Sequence, residues 1–420
     1  MSRFAPTGDI LGPTRPTGFG VIITTLGIGQ IFAWGSSYYL LAVLAKPIAE
    51  DTGWPLTWVV AGVSLGLLAA GLISPWIGRT VGRLGGRPVL AASSVLLAFG
   101  LTVLAVAQSL PVYFAAWLIL GIGMGAGLYD PAFATLGRLY GKGARSAITT
   151  LTLFGGFAST VCWPLSALFV THLGWRGACL TYAAFHVAVF LPVYLFALPR
   201  EAERRTTDGT AARASSADGA TPLIAPSRSL IALLAVALTL SSMISTLHSV
   251  HLLDVLQSRG VDLSVAVALG ALVGPSQVGA RTIEFFVARY HHPIWTKIVS
   301  TLLVVIGVGA LWAALPILAL PLIFYGAGIG LESIARGTLP LVLFDGPRYA
   351  AMMGKLAMPS LIAQAASPSI GAALIGAYGA NGMLATLTGV AAVNFCLAVI
   401  MFASLKRSGI LAGSRMTATA

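Results

Sequence analysis

The sequence predicts an all-α integral membrane protein with twelve transmembrane helices in two pseudo-symmetric six-helix bundles. Three observations carry this. First, 57% of the 420 residues are hydrophobic and only 9% are charged, with a mean hydropathy of +0.89. Soluble domains carry roughly 25% charged residues. A surface this poor in charge must face lipid. Second, the apolar residues fall into runs of roughly 20, the length that crosses a bilayer. Backbone groups find no water partners in hydrocarbon, so those runs must be helical. Third, Ser37–Leu44 (Ser-Tyr-Tyr-Leu-Leu-Ala-Val-Leu) returns as Ser249–Leu256 (Ser-Val-His-Leu-Leu-Asp-Val-Leu), matching at Ser, Leu, Leu, Val and Leu. Each copy lies near the end of a long apolar run, as expected of a duplicated chain.

The first half places spans at 19–44, 55–77, 88–108, 111–136, 146–170 and 176–198. The second places them at 229–256, 263–286, 295–314, 316–341, 351–377 and 383–405. Residues 1–18 and 406–420 are expected as cytoplasmic tails. Residues 199–228, rich in Ala, Ser, Thr, Arg and Asp without an apolar period, are expected as a cytoplasmic linker. Further echoes tie the halves together. Gly121-Ile-Gly-Met-Gly125 resembles Gly326-Ala-Gly-Ile-Gly330, and Pro164 before Gly177 resembles Pro368 before Gly382. Such glycines let helices approach closely, and packing alone would explain them.

Orientation follows from Lys and Arg. With both termini inside, 20 of the 25 basic residues, Lys297 and Lys355 included, fall on the cytoplasmic side. Only Lys46, Arg176 and Arg259 fall opposite, and Arg281 and Arg336 lie within spans. This distribution assigns the net charge of +12 to membrane topology, not to nucleic acid. The expected setting is a bacterial-type plasma or inner membrane. No signal-peptide pattern stands in residues 1–18. Cys162, Cys179 and Cys396 all sit in apolar runs, with no disulfide framework or metal-ligand spacing. No cofactor or metal is expected, and no P-loop supports an ATP-driven pump.

The loop after the second span reads Gly78-Arg-Thr-Val-Gly-Arg-Leu-Gly-Gly-Arg87. It resembles the signature loop of the major facilitator superfamily at Gly78, Arg83, Gly85 and Arg87. It departs at Gly82, where the family usually has an aspartate that helps latch the halves. Tyr38-Tyr39, Gly53-Trp54, Gly85-Gly86-Arg87 and the Gly137–Arg145 segment look like the branch of monocarboxylate and oxalate–formate porters. The resemblance implies the major facilitator fold and transport of small organic anions, with protons or by exchange. It also implies an arginine in the eighth span, where Arg281 stands.

Depth selects the residues that reach a central site. Gln30 and Trp34 flank the first span's midpoint at i, i+4 and fit a cavity wall or a helix contact. With Tyr38, Gln277 and Gln364 they are the expected substrate-binding companions of Arg281. A guanidinium is a natural fork for a carboxylate, and a charge at that depth needs a cavity or a partner. Two alternatives stay open for Arg281. Glu284 at i+3 could neutralise it, or an alignment of Arg79-Thr-Val with Arg281-Thr-Ile would place it at the membrane edge. Asp130 and Glu332 are embedded acids and candidate proton carriers. Arg336 at i+4 offers Glu332 a static pair, and Arg138 offers Asp130 one. Tyr39, His248, His251 and Asp254 lie near the outer ends of their helices and suit an outer gate, histidine being a natural proton sensor. An interfacial cluster is the plainer alternative for the histidines. Lys355 reads as a snorkelling residue at the start of its span.

These residues point to a secondary active transporter with a small-molecule substrate, lipid as its surroundings, protons as a candidate coupling ion, and a monomeric state. Two rival readings are an efflux transporter for apolar or cationic compounds and an integral-membrane enzyme. The enzyme would need a nucleophile and base at one depth, and none stands out.

Overall fold

The computed structural model describes residues 18–200, 227–344, 346–408 and 411. The N-terminal tail, most of the 199–228 linker and most of the C-terminal tail lie outside the described residues.

The first half contains α1 (Phe19–Gly35), α2 (Leu41–Thr52), α3 (Leu56–Leu84), α4 (Gly86–Ala105), α5 (Leu110–Gly127), α6 (Tyr129–Tyr140), α7 (Ala144–Gly156), α8 (Ala158–Phe185) and α9 (Leu191–Ala197). The second contains α10 (Arg228–Gln257), α11 (Leu263–Gly270), α12 (Val273–Val287), α13 (Pro293–Trp312), α14 (Ala319–Leu343) and α15 (Gly346–Arg407). Among the described residues, eight helical stretches are long and apolar enough to cross a membrane. Two of these, 144–197 and 346–407, each cross twice. Together with α1–α2 and α14 they make twelve passes.

The double crossings are visible in side-chain contacts. Tyr182 Oη lies 2.7 Å from Ser166 Oγ, yet 16 residues of straight helix would separate them by about 24 Å. The fold-back is at Gly174, with φ 69° and ψ 174°. Leu356 and Leu405 of α15 share one core cluster, although a straight helix would hold them about 70 Å apart. There the fold-back is at Gly379, with φ 68° and ψ 175°. This backbone region is essentially open to glycine alone. The same strained conformer at corresponding places in the two halves is a direct mark of the duplication.

The glycine motifs carry the same mark. A Cβ at Gly121 would meet the Gly66 carbonyl of α3, and one at Gly326 would meet the Val273 carbonyl of α12. The middle glycines, Gly123 and Gly328, turn instead to Leu97 of α4 and Ser300 and Val304 of α13. Each motif thus packs one helix against two equivalent neighbours. The contacts also set the register between halves. Gly125 faces Ala70 and Gly330 faces Gln277, so Arg281 corresponds to Ser74. The alignment with Arg79, which put Arg281 at the membrane edge, is corrected.

Several expected spans are broken helices. The first span splits at residues 36–40, where Tyr39 N–H donates to the Trp34 carbonyl at 2.9 Å and the Ser37 hydroxyl donates to the Ala33 carbonyl at 2.5 Å. The repeated octapeptide is therefore a turn entering α2 in one half and continuous helix in the other. The fourth span breaks at Leu128. Pro131 has no N–H for the carbonyl four residues back, which is Gly127. Gln30 Nε2 donates to that carbonyl at 2.7 Å. A side chain of α1 thus repairs the gap that proline leaves in the fourth span.

The two halves close at the end that carries the Gly78–Arg87 loop. Gly78 packs on the Ala350 carbonyl and Gly354, Gly82 on the Pro347 carbonyl, and Gly137 on the Tyr349 ring. Tyr349 Oη donates to the Gly337 carbonyl at 2.7 Å. Near mid-depth, Tyr38 of the first half comes within reach of Thr246 of the second. Among the described residues, the hydrogen bonds and ion pairs between halves fall on the loop side of that approach.

Candidate functional site

Arg281 projects from α12 into the boundary between the halves and is 5% exposed. Its Nε donates to the Gly330 carbonyl at 3.2 Å, Nη1 to the Thr152 carbonyl at 3.0 Å, and Nη2 to Gln277 Oε1 at 3.1 Å. All three acceptors are neutral. A guanidinium has five N–H donors, so one remains on each terminal nitrogen. Among the described residues, no carboxylate pairs with it. Glu284, the alternative partner at i+3, turns away. It accepts from Thr296 Oγ1 at 2.7 Å and pairs with His291 Nε2 at 3.3 Å and Arg145 Nη2 at 3.7 Å.

Opposite Arg281 stands an aromatic wall from the first half. Trp34 contacts Tyr129 at 5.2 Å between ring centroids, Tyr38 at 5.4 Å and Tyr39 at 5.9 Å. Tyr39 also meets Trp163 at 6.3 Å. Trp34, Tyr38, Tyr39 and Tyr129 are half-buried. The hydroxyls of Tyr39 and Tyr129 lie within electrostatic reach of Arg281. Two glycines of α7 make the approach possible. A Cβ at Gly155 would fall 2.0 Å from Tyr129 Oη, and one at Gly156 would fall 2.6 Å from Arg281 Nη1. Both polar tips therefore press on one stretch of bare backbone.

Gln30 does not line this space. It is fully buried, and it accepts from Trp34 Nε1 at 3.1 Å while holding the Gly127 carbonyl. The expected i, i+4 pair exists, as a helix contact that fixes the Trp34 ring. Gln277 is a direct partner of Arg281. Gln364 is half-buried on α15, and no contact ties it to the cluster.

The embedded acids pair differently from expectation. Asp130 takes a two-pronged pair from Arg336 across the halves, at 3.0 Å from Nε and 2.9 Å from Nη2. Glu332 takes Lys297 Nζ at 2.6 Å and Ser300 Oγ at 2.9 Å. The intrahelical Glu332–Arg336 pair is thus replaced by two pairs between helices. Lys297 also corrects an expectation. Counted as a cytoplasmic loop charge, it is fully buried in α13, where it also donates to Ser241 Oγ at 3.0 Å.

The gate residues do not form one cluster. His248 is 2% exposed and lies against Tyr325, ring centroids 3.8 Å apart. His251 bonds the Pro368 carbonyl at 3.1 Å and approaches Asp254 at 3.6 Å. Tyr39 belongs to the aromatic wall. In the signature loop, Gly78 is a close-packing position. Gly85, at φ 86°, turns α3 into α4, while Arg83 is exposed. At Gly82, where the aspartate is missing, the carbonyl accepts from Arg138 Nη1. A surface recess of about 300 Å³ beside Trp76, Arg79, Thr80 and Arg83 lies apart from Arg281.

The twelve-pass duplicated fold, its halves meeting around buried charge and a set of aromatic rings, is that of an integral membrane protein. The chain belongs to the Major Facilitator Superfamily, whose family profile matches residues 26–335. It is similar to monocarboxylate transporter 11 of Mus musculus, 29% identical over 167 residues, covering 39% of this chain and 35% of that protein. It is also similar to the transcription regulatory protein OpdE of Pseudomonas aeruginosa, 30% identical over 152 residues, covering 36% of this chain and 37% of that one. These matches span little more than a third of either relative's length. The fold resembles the human organic anion transporter MFSD10 (TETRAN), with a TM-score of 0.70 at 18% identity, covering 91% of this chain and all of that one.

Proposed function

We propose that the protein is a secondary active transporter that moves a small, monocarboxylate-like anion by alternating access. The observation that carries this is Arg281: a buried cation at the boundary of the halves, bonded only to neutral acceptors, with two N–H donors remaining. Burying an unpaired charge is costly, and an incoming carboxylate offsets that cost with a two-pronged hydrogen bond. Gln277 orients the guanidinium. The aromatic wall holds the remainder of the substrate.

In this reading the described conformation is closed at the Gly78–Arg87 end. That end faces the cytoplasm of a bacterial-type cell, as do both termini, because the basic residues gather there. Asp130 and Glu332 are the carboxylates through which proton movement would couple, Asp130 becoming free when its partner across the halves withdraws. His251 and Asp254 flank the opposite mouth, while Tyr39 belongs to the aromatic wall and His248 is buried against Tyr325. The transporter acts as a monomer, with protons or a second anion as the counter-flow. A carrier of cationic compounds would need a free buried carboxylate. Among the described residues, Asp130, Glu284 and Glu332 are all paired.

The test is counterflow of labelled monocarboxylates in proteoliposomes with Arg281→Gln. Loss of anion exchange is expected. Undiminished exchange would overturn the assignment.

A further inference from the structure

Resting on the anion reading above, we infer that the site takes a narrower substrate class, an aromatic monocarboxylate, its carboxylate on Arg281 and its ring against Trp34, Tyr39 and Tyr129.

The single charge follows from counting cations. The other buried basic groups near the boundary are engaged, Arg336 by Asp130 and Lys297 by Glu332. Arg281 is the one buried arginine or lysine without a carboxylate partner among the described residues. A second carboxylate on the ligand would enter this space with no cation to meet it, and burying an unpaired charge is strongly unfavourable.

The ring follows from the surface that Arg281 faces. Trp34 has its indole N–H tied to Gln30, so what it has left to offer a ligand is apolar ring surface. That surface is held rigidly, because Gln30 is itself tied to the Gly127 carbonyl. Tyr129 is held parallel to Phe133, ring centroids 5.1 Å apart and planes 10° apart. Tyr39 stands edge-on to Tyr38 at 5.2 Å and to Trp163 at 6.3 Å. Aromatic rings prefer offset-stacked and edge-to-face partners at such spacings. A pre-positioned set of rings therefore favours a planar guest over a flexible chain of equal charge. The Tyr39 and Tyr129 hydroxyls bond no protein group among the described residues. They are left to meet a polar substituent on the ring or beside the carboxylate.

The experiment measures binding to the purified full-length protein by calorimetry, using phenylacetate, propionate and phenylmalonate as probes. Phenylacetate is expected to bind at least about tenfold more tightly than propionate, and phenylmalonate more weakly than phenylacetate. Trp34→Leu should weaken phenylacetate by roughly five- to tenfold, the range of an aromatic contact, and leave propionate within about twofold. Tyr39→Leu, which leaves Gln30 untouched, should act the same way. Arg281→Gln should abolish binding of both monocarboxylates. Equal affinity for propionate and phenylacetate, or equal loss of both in the Trp34 and Tyr39 variants, would overturn the aromatic assignment while leaving the anion reading in place. Binding that survives Arg281→Gln would overturn the anion reading itself.

Discussion

Arg336 of α14 and Asp130 of α6 join the two halves through paired hydrogen bonds, Nε at 3.0 Å and Nη2 at 2.9 Å from the two carboxylate oxygens. Both side chains are 16% exposed. The pair lies on the closed side of Arg281 and ties α6 to α14 there. Removing one partner of a buried pair strands the other charge and costs about 3–5 kcal/mol; this pair's partial exposure places it toward the lower end of that range. Asp130→Asn is therefore expected to lower thermal stability and shift the halves toward opening. Spin labels at positions 83 and 348, on helices that touch at Gly82 and Pro347, would report the change as a longer distance. Asp130→Asn with Arg336→Gln should recover part of the lost stability. An unchanged distance in Asp130→Asn would show that the pair is no latch.

The twelve passes and the duplication were legible because both are written in apolar run length and repeated glycines. The pairing of charges was not. Helical spacing offers Glu332 its i+4 neighbour Arg336, but spacing along one helix is silent about what faces it. Lys297 and Asp130 supply stronger partners from other helices. Lys297 was hidden for a further reason: it stands one turn inside α13, where span edges read from hydropathy are uncertain. Arg281 was legible as a basic residue set inside an apolar run, with Glu284 three positions on. Tyr129 and Gly156 were not, although Tyr129 adjoins the Asp130-Pro131 break that could have flagged it.

Gly156 separates the binding role of Arg281 from the fold. A methyl group there would sit 2.6 Å from Nη1 and must push the guanidinium off the Thr152 carbonyl. Alanine otherwise favours a helix over glycine by about 1 kcal/mol, and Gly156 ends α7 with ordinary helical backbone. Gly156→Ala should thus leave thermal stability nearly unchanged while weakening monocarboxylate binding about ten- to a hundredfold, the loss expected for one charged hydrogen bond. Calorimetric binding beside a melting curve checks both. Unchanged affinity would mean that the guanidinium position is not what holds the substrate.

His291 and His292 join α12 to α13 and respond to pH in opposite senses. The Glu284 hydrogen bond raises the His291 pKa above its ordinary value. Its stabilising contribution is complete below the unfolded value near 6.5 and is lost as pH rises through the raised one. His292 is pushed down to about 4 by burial, with Arg145 and His291 adding to the shift. Its neutral Nδ1 accepts from the Ile294 N–H at 3.1 Å and caps α13. Unfolding lets it protonate between pH 6.5 and about 4, so stability falls as pH drops through that window. Together the two histidines place a stability maximum near neutrality. His291→Gln should flatten the decline on the alkaline side alone, and His292→Asn, which keeps a capping acceptor, should flatten the acid side. Melting temperatures from pH 4 to 9 would measure both arms. Parallel curves for the wild type and His291→Gln above neutrality would show that the bond to Glu284 contributes nothing to stability.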